Sequence, residues 1–193
     1  MRMKGSIIIS ILILSITINC YASEPGATGA NYVDIGALER RDEDEINYFA
    51  YGSNMDVQRM KSREIVFSKR YHAILPGYRL EFNKITLFNQ KEGYANIVVD
   101  KNEYVEGVLY NIDDVDLEKL DCFEGYPDHY NRITIKVRLD NQSEVEAITY
   151  IAQPDKTRRG LKPSKKYLNY LLAAKNILSR EYYKKLETWE TLD

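Results

Sequence analysis

The chain has 193 residues, of which 44% are hydrophobic and 29% are charged, a composition that is ordinary for one globular domain with a real core. Its formal net charge of -2 lacks the basic surplus that phosphate contacts require, which argues against a nucleic-acid-binding protein. The two histidines and two cysteines do not stand at metal-ligand spacing, so we expect neither a metal site nor a cofactor.

The first 22 residues match the pattern of a secretory signal peptide. Arg2 and Lys4 precede an unbroken run of apolar and hydroxyl residues, 7–18, and small residues then stand at the −3 and −1 positions of a cleavage site. The run is shorter than the about 20 residues of a membrane span, so we predict an exported chain, periplasmic or secreted, without a stable span after leader cleavage. The alternatives are an uncleaved leader that anchors the chain in a membrane and, with less support, a lipid anchor at Cys20.

Residues 23–45 are predicted to form a flexible linker, because prolines, glycines and a charged run replace any sustained apolar periodicity. Order is predicted to begin after the linker, with one domain over residues 46–193. The first element, Ile46–Tyr51, is short, apolar and aromatic, which is typical of a buried strand. Gly52-Ser53-Asn54 ends this strand, and a brief helix around residues 55–61 is expected to follow.

Two pairs of strands are predicted in the next part of the chain. Arg70–Leu75 and Tyr78–Asn83 flank Pro76-Gly77, a dipeptide that is typical of a tight turn. Ala95–Val99 and Val105–Tyr110 form the second pair. We therefore expect four short strands in this region.

A helix and a hairpin are predicted to follow. Asp113 or Asp114 can cap the helix with its side chain. Apolar and polar residues alternate over Arg132–Leu139, which predicts a strand with one buried and one solvated face. Glu144–Ile151 is the expected hairpin partner of that strand.

Two helices are predicted to close the chain. Pro163 suits the first turn of one helix, and Ser179 can cap the other. The sum is six or more mainly antiparallel strands with about three helices, two of them C-terminal. This content favours an α+β fold in which a curled sheet or small, mainly antiparallel barrel is flanked by helices.

The first candidate site is the turn Tyr51-Gly52-Ser53-Asn54. A strand that ends in this way leaves backbone N–H groups free to point at a ligand, and glycine allows the ligand to approach closely. Such a turn can hold a carboxylate or stabilise an oxyanion. The alternative is a plain strand-to-helix turn in which Ser53 or Asn54 only caps a helix.

The second candidate is Glu124, which stands where the predicted helix ends. Phe123 and Tyr126 flank it, and partly apolar surroundings make a carboxylate a better proton acceptor. The alternative is a helix-end glutamate that faces water. On the same helix, Asp121 is predicted to be solvated and Cys122 to lie in the core.

The octapeptide Tyr48–Met55, YFAYGSNM, resembles the opening signature of the γ-glutamylcyclotransferase family. The resemblance covers about residues 46–188. It continues in the same order through segments similar to the family's central strands, the helix before its catalytic glutamate and its C-terminal helices: Tyr94–Ile97, Val105–Tyr110, Leu117–Gly125, Pro163–Tyr167 and Leu178–Tyr182.

The resemblance implies a small mixed β-barrel with surrounding helices. It also implies cyclisation of a γ-glutamyl group to 5-oxoproline, with release of an amine or amino acid. By motif position Glu124 is implied as the catalytic acid and base, and Tyr167 as a further substrate contact. The substrate-binding wall is implied to consist of Tyr48, Phe49, Ala50, Tyr51, Gly52, Ser53 and Asn54. The predicted export differs from the usual cytosolic setting of the family.

This chemistry is compatible with the residues themselves. The α-amino nitrogen of the substrate must attack its own γ-carbonyl, but at neutral pH that amine is mostly protonated. One carboxylate can take the proton and pass it to the leaving nitrogen, while backbone N–H groups of Gly52 and Ser53 stabilise the oxyanion. No metal, cofactor or covalent intermediate is needed.

Two alternatives stay open. The partner is expected to be a small γ-glutamyl molecule, but it can be a γ-glutamylamine, such as ε-(γ-glutamyl)lysine, because substrate choice depends on loops that the sequence does not place. The second alternative is a non-catalytic protein of the same fold that binds a small metabolite. The sequence leaves the oligomeric state open, with a homodimer among the options.

Overall fold

The computed structural model describes residues 45–86 and 89–193. The predicted leader, 1–22, and nearly all of the predicted linker, 23–45, lie outside the described residues. Within the described ranges, no helix is long and apolar enough to cross a membrane.

Five strands form a closed barrel in the described part of the chain. They are β1 (Ile46–Ala50), β2 (Arg70–Ile85), β3 (Gly93–Ile112), β4 (Tyr130–Leu139) and β5 (Glu144–Ala152). Their order around the barrel is β1-β3-β2-β4-β5. Neighbouring strands are antiparallel except β1 and β5, which pair in parallel where Tyr48 faces Ile148. The predicted α+β fold with a small, mixed, mainly antiparallel barrel is confirmed.

The four short strands predicted between residues 70 and 110 are in fact two long ones, β2 and β3. Pro76-Gly77 is not a turn, because β2 continues through it and stays paired with β3 on both sides. Pro76 pairs with Tyr104 and Tyr78 with Val99, so the register shifts at Gly77, where residues 100–103 of β3 have no paired partner on β2. A strand irregularity tolerates proline and a glycine with φ of 80°, so the same two residues bend the strand instead of reversing it.

Four α-helices flank the barrel in the described residues. They are α1 (Val57–Ser62), α2 (Asp114–Glu124), α3 (Lys165–Leu172) and α4 (Arg180–Glu187). The two C-terminal helices are confirmed, and α3 packs against a short 3₁₀ turn, Ser53–Met55, that follows β1.

The N-termini of the three longer helices are fixed by side-chain caps. Asp113 accepts a hydrogen bond from the N–H of Asp116 and so begins α2, as predicted. Ser179 caps α4 through the N–H of Tyr182, also as predicted. The prediction that Pro163 lies in the first turn of α3 is wrong, because the extended Ser164 caps the helix one residue later.

The barrel interior is filled by apolar and aromatic side chains from every strand. Phe49 on β1 is fully buried, and its ring fits because Gly107 on β3 has no side chain. A Cβ atom at Gly107 would lie 2.4 Å from the carbonyl oxygen of Ala50 and 2.7 Å from the Phe49 ring. This close approach of β1 to β3 fixes the end of β1, from which the 3₁₀ turn leaves the barrel.

Candidate active site

A cavity of about 310 Å³, including its open mouth, lies where β1 runs into the 3₁₀ turn. The cavity is lined by Tyr48, Tyr51, Gly52, Ser53, Asn54, Ala95, Glu124, Tyr130, Thr149, Tyr150 and Tyr167. Both candidate motifs and Tyr167 therefore meet at one site.

Two residues of the expected substrate-binding wall are not among those that line the cavity. Phe49 points to the other side of β1, where its ring packs against Gly107, because successive side chains of a strand alternate between faces. Ala50 is buried in the core with 1% of its surface exposed. The wall is completed instead by Ala95 and Thr149, which the sequence did not single out.

Glu124 is the last residue of α2, and the helix stops sharply behind it. Gly125 adopts the left-handed conformation with φ of 66°, and its N–H bonds the carbonyl of Cys122. The N–H of Tyr126 then bonds the carbonyl of Asp121. This C-terminal motif turns the chain away and leaves the Glu124 side chain at the cavity, 16% exposed, so the water-facing alternative does not hold.

The carboxylate of Glu124 is held through one oxygen. Its Oε1 accepts a hydrogen bond from Asn54 Nδ2 at 3.0 Å and an ion-paired one from Arg63 Nη1 at 2.9 Å. No residue in the described ranges donates to Oε2. One oxygen is therefore fixed in place by two donors, while the other keeps its capacity to accept a proton.

Arg63 is a site residue that the sequence did not indicate. It lies at the C-cap of α1, and its Nη1 also donates to Asn54 Oδ1 at 2.8 Å. Its guanidinium carbon stands 4.7 Å above the centre of the Phe123 ring. A helix-end arginine is usually a solvated residue, so only the fold reveals this role.

Asn54 joins the turn to the carboxylate. Its buried side chain also contacts the Tyr48 hydroxyl at 2.8 Å, and its carbonyl oxygen accepts a hydrogen bond from Tyr110 at 3.0 Å. The capping alternative for this turn does not hold. The residue that caps α1 is Asp56, whose carboxylate accepts the N–H of Gln58.

The 3₁₀ turn at the cavity has backbone N–H groups that no hydrogen bond within the turn uses. Its first hydrogen bonds run from the N–H groups of Met55 and Asp56, so the N–H groups of Ser53 and Asn54 come before any bond within the turn. Gly52 lets the turn lie close to the opposite wall, since a Cβ atom there would be 3.1 Å from the Ala95 Cβ. These donors can serve an anionic or developing anionic oxygen.

Of the sixteen tyrosines of the chain, five line the cavity: Tyr48, Tyr51, Tyr130, Tyr150 and Tyr167. Burial is the main cause that raises the pKa of each, to about 12 for Tyr167, and the Glu124 carboxylate adds to the rise in all five. All five phenols are consequently neutral at physiological pH. They line the site with uncharged hydroxyl groups.

Several of these hydroxyls are held by the backbone. Tyr130 donates to the carbonyl of Ala95 at 2.9 Å, and the N–H of Ala95 donates to the Tyr167 hydroxyl at 3.1 Å. Tyr51 donates to the carbonyl of Tyr150 at 2.6 Å. The aromatic walls of the cavity are therefore preorganised.

Two predictions for α2 are wrong, and helical periodicity explains both. Asp121 is not solvated: it shares the inner face of α2 with Leu117, it is 15% exposed, and it accepts a hydrogen bond from Tyr150 at 2.7 Å. Cys122 is exposed, because it shares the outer face with Val115, which is 61% exposed.

The described ranges contain no group of three or more His, Cys, Asp or Glu side chains that could hold a metal ion. The titratable groups at the cavity are a carboxylate, its arginine partner and phenols. This set can accept and donate protons and can stabilise negative charge through neutral donors.

Residues 48–169 match the family described as gamma-glutamyl cyclotransferase, AIG2-like. The chain belongs to this family. The matched range contains the whole cavity lining, from Tyr48 to Tyr167. The resemblance seen in the sequence is thus confirmed at the level of the family.

The chain is also similar to individual members of the γ-glutamyl cyclotransferase family. Human gamma-glutamylcyclotransferase is 28% identical over 158 residues, which cover 79% of this chain and 82% of the human protein. The protein MJ1514 of Methanocaldococcus jannaschii is 39% identical over 62 residues, 30% of this chain and 52% of that protein, so the match spans about half its length. A solved gamma-glutamyl cyclotransferase structure has a TM-score of 0.68 at 26% identity and covers 77% of this chain and 90% of that one.

Proposed function

We propose that this protein is a γ-glutamylcyclotransferase that converts a small γ-glutamyl amino acid to 5-oxoproline and a free amino acid. The observation that carries the proposal is the placement of Glu124. Its carboxylate is fixed through Oε1 by Arg63 and Asn54, in a tyrosine-lined cavity beside the backbone donors of the 3₁₀ turn. Family membership and the human gamma-glutamylcyclotransferase, 28% identical, support the same reaction class.

Glu124 is the acid and base in this proposal. Its Oε2 accepts a proton from the α-ammonium group of the substrate, and the freed amine attacks the γ-carbonyl carbon. A new C–N bond closes the five-membered ring, and the tetrahedral intermediate collapses as the original amide C–N bond breaks. The first proton passes from Glu124 to the leaving nitrogen as that bond breaks, and the regenerated carboxylate then takes the second excess proton from the ring nitrogen and passes it to the released amine. The products are the neutral lactam of 5-oxoproline and an amino acid with an ammonium group, so the carboxylate is regenerated and atoms and charges balance.

The remaining residues of the site stabilise the oxyanion and orient the substrate. In this proposal the N–H groups of Ser53 and Asn54, which no bond within the 3₁₀ turn uses, donate to the oxyanion of the intermediate, and Gly52 allows the substrate to approach closely. The small cavity folds the substrate so that its amine meets its own γ-carbonyl, which removes an entropic barrier. The neutral tyrosines Tyr48 and Tyr167 supply wall contacts without adding charge.

The test measures 5-oxoproline release from γ-glutamyl-alanine by the full chain and by Glu124→Gln. We expect release by the unchanged protein and a loss of at least about 100-fold in kcat for the variant, because amide nitrogen and oxygen cannot carry the proton. Thermal unfolding and circular dichroism of both proteins provide the control for folding. Undiminished turnover by the folded variant, or no release by the folded parent protein, contradicts the proposal.

A further inference from the structure

Lys84 is a buried lysine on β2 that the reaction described above does not use. Only 5% of the residue is exposed. Its Nζ donates to the carbonyl of Ile85 at 2.9 Å, stands 3.4 Å from His129 Nδ1 and lies 5.3 Å from the centre of the Tyr130 ring. An ammonium group has three donors, and only the contact with Ile85 has the length of a normal hydrogen bond.

The positive charge of Lys84 has no carboxylate within ion-pair distance in the described ranges, whereas two arginines nearby each have one. Arg63 is paired with Glu124 and Arg132 with Asp121. Burial is the main cause that lowers the pKa of Lys84, while the charge of Glu124 acts in the opposite direction. A buried cation without a paired anion is costly, and an incoming anion would relieve that cost.

Lys84 is not among the residues that line the cavity near Glu124, but it lies against the wall that they form. Tyr130, whose ring it faces, is part of that wall. On the neighbouring strand Lys84 pairs with Tyr94, the residue next to Ala95, which also lines the cavity. The loop that leaves α2 behind Glu124 returns past Lys84 through His129.

The chemistry of the leaving group places an anion in this neighbourhood. Glu124 must reach the leaving nitrogen, and in an amino acid the carboxylate is attached to the carbon next to that nitrogen. Standard bond lengths keep the carboxylate oxygens within about 4 Å of the nitrogen. The leaving carboxylate therefore comes close to the negative Glu124, and a nearby cation without an ion-pair partner would favour its binding there.

We propose that Lys84 binds the α-carboxylate of the leaving amino acid and so makes the protein selective for γ-glutamyl amino acids over γ-glutamylamines that lack this carboxylate. The inference rests on the proposed cyclotransferase function and names the substrate class of the same site. A flexible four-carbon stem and a donor left over from Ile85 and His129 suit Lys84 to this contact.

The test compares two substrates of the same shape, γ-glutamyl-alanine and γ-glutamyl-alaninamide, in which a neutral amide replaces the leaving carboxylate. We expect the unchanged protein to prefer the carboxylate by about 10- to 100-fold in kcat/KM, as for one charge-assisted hydrogen bond. Lys84→Met loses this preference through a higher KM for γ-glutamyl-alanine and keeps its kcat/KM for the amide within about twofold. Lys84→Arg retains a preference for the carboxylate.

Lys156→Met is the matched control, because Lys156 is close enough to affect the pKa of Lys84 but is ion-paired with Asp155 at the surface. Lys156→Met should leave kcat/KM for both substrates unchanged. An equal loss on both substrates in Lys84→Met overturns the inference and makes Lys84 a support of the His129 loop. Equal use of both substrates by the unchanged protein also overturns it, even if Lys84→Met does not fold. If the unchanged protein turns over neither of the two substrates, that result contradicts the cyclotransferase function itself.

Discussion

At the scale of single residues, the catalytic proposal depends on how one carboxylate is held. Asn54 and Arg63 both contact Glu124 Oε1, and they also contact each other through Arg63 Nη1 and Asn54 Oδ1. A closed set of three side chains limits the rotation of the carboxylate more than either donor alone. The second carboxylate oxygen is then left in a defined position for proton transfer.

Removing Arg63 should lower catalysis more than it lowers stability. Arg63→Met abolishes both hydrogen bonds of Nη1, so Glu124 is no longer fixed, and we expect kcat to fall by about 10- to 100-fold with a smaller change in KM. Lys61→Met removes a positive charge from the exposed side of the same helix and is the control. Steady-state kinetics of both variants measure these changes in kcat and KM. Equal kcat values for Arg63→Met and the parent protein would show that Arg63 has no positioning role.

At the scale of elements, α2 is attached to β5 by a polar contact. The Tyr150 hydroxyl donates to Asp121 Oδ1 at 2.7 Å, and Arg132 on β4 lies 3.4 Å from the same oxygen. Because Asp121 precedes Glu124 by less than one turn of helix, this contact also sets the rotation of α2 at the cavity.

Asp121→Ala is expected to destabilise the protein by about 1–3 kcal/mol, because the buried hydroxyl of Tyr150 loses its carboxylate acceptor. Urea denaturation of the variant measures the change. Tyr150→Phe with Asp121→Ala should recover part of the loss, since both polar partners are then removed. If Asp121→Ala alone is as stable as the parent protein, the hydrogen bond from Tyr150 does not contribute to stability.

A second polar contact joins β2 and β3 to the start of α4. The buried Glu106 carboxylate accepts the N–H and the hydroxyl of Ser179 at 2.8 and 2.7 Å, and His72 Nε2 at 3.0 Å. The hydrogen bond with Glu106 is the main cause that raises the pKa of His72, and Asp140 adds to it. Burial acts to raise the pKa of Glu106, but the hydrogen bonds from His72 and Ser179 together lower it.

The pH dependence of this contact follows from the two shifts. A raised histidine pKa stabilises the fold below the ordinary value of 6.5, and the gain is lost as pH rises through the higher folded value. A lowered glutamate pKa stabilises the fold above its ordinary 4.5 and loses that gain as pH falls through the folded value. The contact therefore stabilises most between these two ordinary values.

We expect the urea concentration at the unfolding midpoint of the parent protein to decrease as the pH is raised from about 6 to about 9, because His72 loses its proton. His72→Gln removes the titrating group and should show a smaller fall over the same range. His129→Gln is the control, because burial lowers the pKa of His129, whereas the pKa of His72 is raised. If the urea midpoints of the parent protein and His72→Gln change with pH in parallel, His72 is not the group that causes the pH dependence.

At the scale of the whole molecule, the barrel brings together residues that are distant in the chain. Asn54 and Glu124 are 70 residues apart, and they meet because β1 and α2 both end at the same mouth of the barrel. Ser53 and Tyr167 meet there as well, since α3 packs against the 3₁₀ turn. Export through the predicted leader, 1–22, stays a prediction from residues outside those described.

Several features of the fold and the cavity could be predicted from short sequence patterns alone. Alternation over 132–139 predicted β4, Asp113 and Ser179 predicted two helix caps, and the octapeptide 48–55 with Glu124 predicted the family and the two halves of the cavity. These predictions depend on local periodicity, on capping chemistry or on residue type, and neighbouring residues alone carry that information.

How these elements come together could not be predicted from such patterns, because it depends on long-range contacts. Pro76-Gly77 carries the same turn signal whether the chain reverses or bends, and pairing with β3 along its length selected the bend. The partnership of Arg63 with Glu124 and the burial of Lys84 also depend on barrel closure. Closure brings strands and helix ends into contact over long sequence separations, and no local pattern of apolar and polar residues encodes those distances.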